Sequence, residues 1–168
     1  LNQRIVDLVA PRLFKGANGA QLRTYTLALH FVRISDLAVR EYQLGRAETI
    51  AFWNGSASFN IGAYSRSSSH FEVCIDALKR AINILRKLRA DSDVPLSIKS
   101  VLPRSSILLT SSVEKQVTAM RDAIQHIEEK IVAGELPKGS SLILMPTVTH
   151  LELGRRRISF TDLAFWLN

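Results

Sequence analysis

Residues 70–88 read HFEVCIDALKRAINILRKL, and the spacing inside this stretch decides the fold class. Phe71, Ile75, Leu78, Ile82 and Leu85 follow one another at steps of four, three, four and three. In an α-helix such steps bring side chains to one azimuth, whereas a strand would scatter them over both faces. Cys74, Ala81 and Leu88 widen the stripe. Lys79, Arg80, Arg86, Lys87 and Arg89 take the other face and the C-terminal end, where positive charge suits the helix dipole. The spacing predicts a long helix from about Ser58 to Ala90 with one face committed to a core.

The same period extends outward. From Gln21 to about Ile50, Leu27, Phe31, Ile34, Leu37 or Ala38, and Val39 with Tyr42 keep an apolar face, with Arg33, Arg40, Glu41 and Arg46 outside it. Residues 1–14 carry a shorter helical pattern that Pro11 interrupts, and KGANG (15–19) reads as a loop. Asn54-Gly55-Ser56 is a break, and residues 91–110, with Pro95 and Pro103, form a connection.

Residues 111–133, SSVEKQVTAMRDAIQHIEEKIVA, predict a single amphipathic helix with Val113, Val117, Met120, Ile124, Ile127 and Ile131 on its core side. Ser111 with Glu114 forms a capping box, and Gly134 is a stop signal. Leu142–Met145 and Val148–Leu153, joined around Pro146 and closed by Gly154, predict a small hairpin, after which Ser159 and Asp162 open a last helix from Phe160 to Asn168. The expected architecture is an all-α up-and-down bundle with a small C-terminal β-hairpin: an N-terminal segment, 1–20, then one helical domain, 21–168. The chain opens without Met and stops at Asn168 inside a predicted helix, as a trimmed fragment would.

With 168 residues, 46% hydrophobic and 22% charged, the composition is that of a globular domain able to bury a core without disulfides or metal. No apolar run reaches the roughly eighteen residues a membrane span needs. Cys74 is the sole cysteine, which excludes an intrachain disulfide and suits a reducing cytoplasm. Four histidines and one cysteine without ligand spacing argue against structural zinc. The net charge of +7 permits a polyanionic partner without specifying one. A DNA-binding regulator is favoured by that charge alone, and no helix-turn-helix signature accompanies it.

The chemistry-bearing residues lie on the helix at 111–133. At 100° per residue, Arg121 falls about 80° to one side of the apolar stripe and His126 roughly 140° to the other, with Asp122 and Gln125 between them. All therefore face away from their own core. Arginine and histidine together suit RNA cleavage: an imidazole can take the proton of a 2′-hydroxyl or supply one to the leaving oxygen, and a guanidinium stabilises the charge building on phosphate. Asp122, four residues before His126, is placed to accept a ring N–H and fix the tautomer. Against this stands the plain alternative that an exposed Arg and His are only the solvated face of an amphipathic helix.

Arg121-Asp122-Ala123-Ile124-Gln125-His126 resembles the motif of the HEPN-domain family, in which Arg is followed after four to six residues by His and a polar residue directly follows the Arg. The helices at 21–50 and 70–88, the motif helix and ISFTDLAFWL (158–167) are similar to those of a prokaryotic HEPN-like subgroup, over roughly 22–168. The resemblance implies a metal-independent endoribonuclease without cofactor, homodimeric, acting in toxin–antitoxin or defence systems and in some cases held by a cognate antitoxin. It implies that Arg121 polarises the scissile phosphate, that His126 is general base or acid, that Asp122 positions one of them, and that the product carries a 2′,3′-cyclic phosphate. One toxin branch continues His-x-Tyr, whereas Ile127-Glu128 follows here, so regulation at that tyrosine does not transfer. Other members are non-catalytic modules that bind a partner protein or RNA, which is the alternative for this chain.

Outside the motif, Arg66-Ser67-Ser68-Ser69-His70 is one residue short of it and is either a helix start or a second polar contribution to the RNA cleft. Arg155-Arg156-Arg157 is either a phosphate-contacting patch or a solvated turn. Trp53 and Trp166 read as core or interface anchors and Cys74 as a small buried hydrophobe.

Overall fold

The stripe that predicts the central helix is buried along its whole length: Phe71, Ile75, Leu78, Ile82 and Leu85 are each at most 1% exposed. The structure is a computed structural model and describes residues 2–14, 19–55, 60–102, 107–135 and 141–167. Ser58, most of the KGANG loop (15–18), Ser56, Pro103 and Asn168, named above, lie outside the described residues.

Helices α1 (Asn2–Phe14), α2 (Gly19–Asn54) and α3 (Ile61–Ala90) are followed by the single turn α4 (Leu96–Lys99), a 3-10 turn at Ile107–Leu109 and α5 (Ser111–Gln125). Then come α6 (Ile127–Val132), strands β1 (Ser141–Pro146), β2 (His150–Gly154) and β3 (Arg156–Ser159), and α7 (Phe160–Leu167). Cross-helix partners show the course of the bundle. Glu48 meets Arg66 while Glu41 meets His70 further on, so α2 and α3 are antiparallel. Arg86 meets Glu114 while Asp76 meets Arg121, so α3 and α5 are antiparallel as well. The fold is the expected all-α up-and-down bundle with a small β appendage near its C-terminus.

The differences from the sequence reading have local causes. Helix α1 runs through Pro11 instead of being interrupted there. Its Ile5 and Val9 are fully buried in one cluster with Tyr25, Ala28 and Phe31 of α2, so tertiary packing holds a turn that proline disfavours. The same contact joins the N-terminal segment to the bundle. The hairpin gains a third strand, giving an antiparallel sheet ordered β1-β2-β3. Leu153 pairs with Arg156, leaving a two-residue turn in which Gly154 takes φ +62°, a conformation that glycine adopts without strain. The cap of α5 lies one residue earlier than predicted: Val113 N–H donates to the Thr110 hydroxyl, and Glu114 is drawn away to Lys79 and Arg86 of α3.

A second cluster joins α3 and α5 to the sheet and α7, through Phe71, Met120, Leu144, Leu151, Ile158 and Trp166. Phe71 stacks on Phe160 at 5.2 Å, and the Tyr42 hydroxyl donates to the Phe160 carbonyl. Its ring also lies against the α2 backbone at Gly45, where an added Cβ would stand 3.0 Å from ring carbons. The Gly45 carbonyl accepts hydroxyls from both Thr49 and Ser67, so the helix pair is close and satisfied at that level. Gly45→Ala gains about 1 kcal/mol of helix propensity but overpacks a rigid ring, at about 1–3 kcal/mol. The expected net result is destabilisation, read as a lower urea midpoint.

Candidate functional site

The motif segment is not one helix. Helix α5 ends at Gln125, His126 sits at φ −102° and ψ 10°, and α6 begins at Ile127. The apolar stripe explains the break. Val113, Val117, Met120 and Ala123 are buried, Ile124 and Ile127 only half-buried, and Ile131 exposed, so packing ceases to hold the helix where the kink occurs. Helix α6 closes in a left-handed glycine cap: Gly134, at φ +69°, donates to the Ile131 carbonyl and Glu135 to that of Lys130.

The motif side chains part company. Arg121 turns back to α3, donating from Nε to Asp76 Oδ1 at 3.1 Å, with its terminal nitrogen 3.7 Å from Asp122. His126 turns away, and its Nδ1 lies 2.8 Å from Glu129 Oε2. A carboxylate only accepts, so Nδ1 carries the hydrogen and Nε2 is left as the basic nitrogen. The predicted pairing of Asp122 with His126 is therefore replaced by Glu129, since the break carries the imidazole off the azimuth a straight helix would give it. Glu129 is three residues from His126 and was legible as a neighbour on helical spacing; Asp76 comes from another helix and was not.

His126 lines an open cleft of about 470 Å³ together with Asp122, Glu129, Lys130, Glu135 and Arg156. Strand β3 brings Arg156 there, so one of the three consecutive arginines joins the motif histidine. Arg155 is exposed in the β2–β3 turn, and Arg157 is held by Glu152 at 2.7 Å. Arg121 is not among the cleft-lining residues. Three carboxylates face two cations and the imidazole in this cleft, a balance that a single chain does not tilt toward phosphate. Among the described residues no group of three or more His, Cys, Asp and Glu side chains is placed to hold a metal ion.

Arg66 and His70 lie elsewhere, on the face of α3 against α2. Arg66 grips Glu48 through two nitrogens at 2.9 Å, and His70 Nδ1 lies 2.7 Å from Glu41 Oε2. Glu41, expected outside the apolar face, is only 7% exposed and is also held by Arg40 at 2.8 Å. These are interhelical ties, and the structure does not bring them to the His126 cleft. Trp53 is partly exposed and donates to the Pro146 carbonyl, while Trp166 and Cys74 are buried as expected. Burial pushes the Cys74 thiol up to about 12, which makes it a poor nucleophile.

No protein-family model matches the chain, nor does any curated protein or solved structure. No helix among the described residues is long and apolar enough to cross a membrane.

The interhelical ties carry a pH dependence. Burial pushes the Glu41 carboxyl up, but hydrogen bonds from His70 and Arg40 outweigh it and hold the group below its ordinary range. The Arg66 hydrogen bond does the same for Glu48, and that of Arg86 for Glu114. A carboxyl lowered in the native state binds its proton more readily in the unfolded chain, so its stabilisation is present above the ordinary carboxylate range and is lost as pH falls through the lowered value. Urea midpoints should therefore fall steadily from about pH 5 downward. Glu41→Gln should flatten that slope while lowering stability at neutral pH.

Proposed function

We propose that the chain is a HEPN-type endoribonuclease that works as a homodimer without a metal cofactor. The observation that carries the reading is His126, whose Nδ1 is held by Glu129 while the ring lines a cleft shared with Lys130 and Arg156. In this reading Nε2 removes the proton of a ribose 2′-hydroxyl, and the 2′-oxygen attacks the adjacent phosphorus. The bond to the 5′-oxygen breaks, a protonated His126 from the second copy returns a proton to that oxygen, and a 2′,3′-cyclic phosphate remains. Lys130 and Arg156 meet the charge developing on the phosphate. Arg121 enters when two copies pair, exchanging part of its hold on Asp76 for the scissile group. A toxin–antitoxin or defence setting, with a cognate antitoxin, follows from the family resemblance.

A second reading has its own observation. Arg121 is already engaged by Asp76 and Asp122, as a structural arginine would be, which favours a non-catalytic HEPN-like module that binds RNA or a partner protein.

A cleavage gel beside a gel shift, with RNA in EDTA, separates the two. For the nuclease, His126→Ala should lower the rate by about 10²–10⁴-fold. Arg121→Ala should act in the same direction with the fold retained, and Glu129→Gln should cost less than His126→Ala. Saturable binding with no product from the wild-type chain identifies the module. Cleavage unchanged in both His126→Ala and Arg121→Ala removes the assignment of this site.

A further inference from the structure

Helices α2 and α3 enclose a second open cleft, about 440 Å³, lined by Arg33, Ile34, Asp36, Leu37, Arg40 and Arg80. Residues 33, 37 and 40 stand one above another on α2, so the two arginines flank an aliphatic floor and Arg80 faces them from α3. Three guanidinium groups converge on a space with one lining carboxylate, Asp36, a positive balance opposite to that of the His126 cleft. The surroundings register it: burial lowers His30, and the charges of Arg33 and Arg80 lower it further.

One carboxylate links the basic cleft to the motif helix. Asp76 Oδ1 accepts from Arg121 at 3.1 Å, and its Oδ2 lies 3.9 Å from an Arg80 terminal nitrogen. Arg80 therefore belongs to the basic cleft and, through Asp76, borders the motif arginine. The two clefts differ in chemistry. The His126 cleft has a titratable imidazole, whereas the α2–α3 cleft has guanidinium groups over aliphatic side chains, without a nucleophile or an aromatic stacking surface among its lining residues. Such a surface holds phosphates and does not read bases.

We infer that the Arg33–Arg40–Arg80 cleft binds the backbone phosphates of a single-stranded RNA whose adjoining segment reaches the motif helix. The inference rests on the proposed RNA substrate but not on cleavage. Arginine suits the role because its charge persists at all working pH and its fork matches two phosphate oxygens. The contacts of Arg40 with Glu41 and of Arg33 with His30 engage part of each guanidinium and orient it.

The test is anisotropy of a fluorescein-labelled uridine oligonucleotide of about twelve residues, titrated with the full chain over a range of salt. The triple variant Arg33→Gln, Arg40→Gln, Arg80→Gln should bind about tenfold more weakly at 0.1 M salt, and its salt slope should shrink by about two, because roughly three phosphate contacts are lost. The charge-keeping triple Arg→Lys variant should retain most of the affinity, which excludes misfolding as the cause. A control that removes the same charge elsewhere, Arg12→Gln, Lys99→Gln, Lys115→Gln, should bind nearly as the wild type does. Equal losses in the two Gln triples, no RNA binding by the wild-type chain, or tighter binding of duplex DNA would each overturn the inference. Selective loss of binding in a chain that cleaves nothing supports the phosphate track and sinks the nuclease. Cleavage with unchanged affinity in the Arg33/Arg40/Arg80 Gln variant does the reverse.

Discussion

The bundle depends on the close approach of α2 and α3 at Gly45. A missing Cβ lets the Phe71 ring lie on the neighbouring backbone, and the Thr49 and Ser67 hydroxyls both find an acceptor in the Gly45 carbonyl at that contact. The ring then serves both halves of the molecule. It stacks on Phe160, whose carbonyl takes the Tyr42 hydroxyl and whose ring lies 4.1 Å from the Arg46 guanidinium, so the sheet and α7 are fastened to the long helices through one aromatic group. With Phe71 seated, the next turns of α3 are determined: Asp76 reaches α5 and Arg80 faces the α2 arginines. That packing contact thus sets the stretch of α3 from which Asp76 and Arg80 project.

Periodicity made the long helices readable because their burial is continuous. The α3 stripe stays apolar for five positions and is buried at all five, and Gly134 and Ser159 mark helix ends by local rules that need no tertiary partner. Where burial is partial, the pattern misleads. Ile127 and Ile131 continue the spacing of α5, yet neither is buried, and the helix kinks before them. Proline argued against a continuous α1, but two fully buried residues outweighed one missing hydrogen bond. The third strand was hidden because Arg156 and Arg157 lie on an exposed edge, where charge is tolerated and alternation is faint.

The candidate site was legible only as far as one helix face can show. Asp122 and His126 were rightly placed outward from the core, whereas Arg121, read outward as well, is half-buried against α3, and Glu129 stood within reach of His126 on the same segment. The partner of Arg121 comes from position 76 and the cation beside His126 from position 156, separations that no local spacing reveals. Glu41 illustrates the same difficulty in reverse. A carboxylate outside an apolar stripe reads as solvated, but two basic neighbours made its burial tolerable.

Helix α6 contributes no buried side chain, although it carries Glu129 and Lys130 and follows directly on His126. It is held by half-buried Ile127 against the second cluster, by the glycine cap and by its own backbone bonds, so its amides should exchange with solvent long before those of α3. Proton chemistry and structural thrift meet in that turn: the imidazole rides at the rim of the sturdiest part of the molecule, on a piece that can be re-aimed at small cost by whatever settles against it.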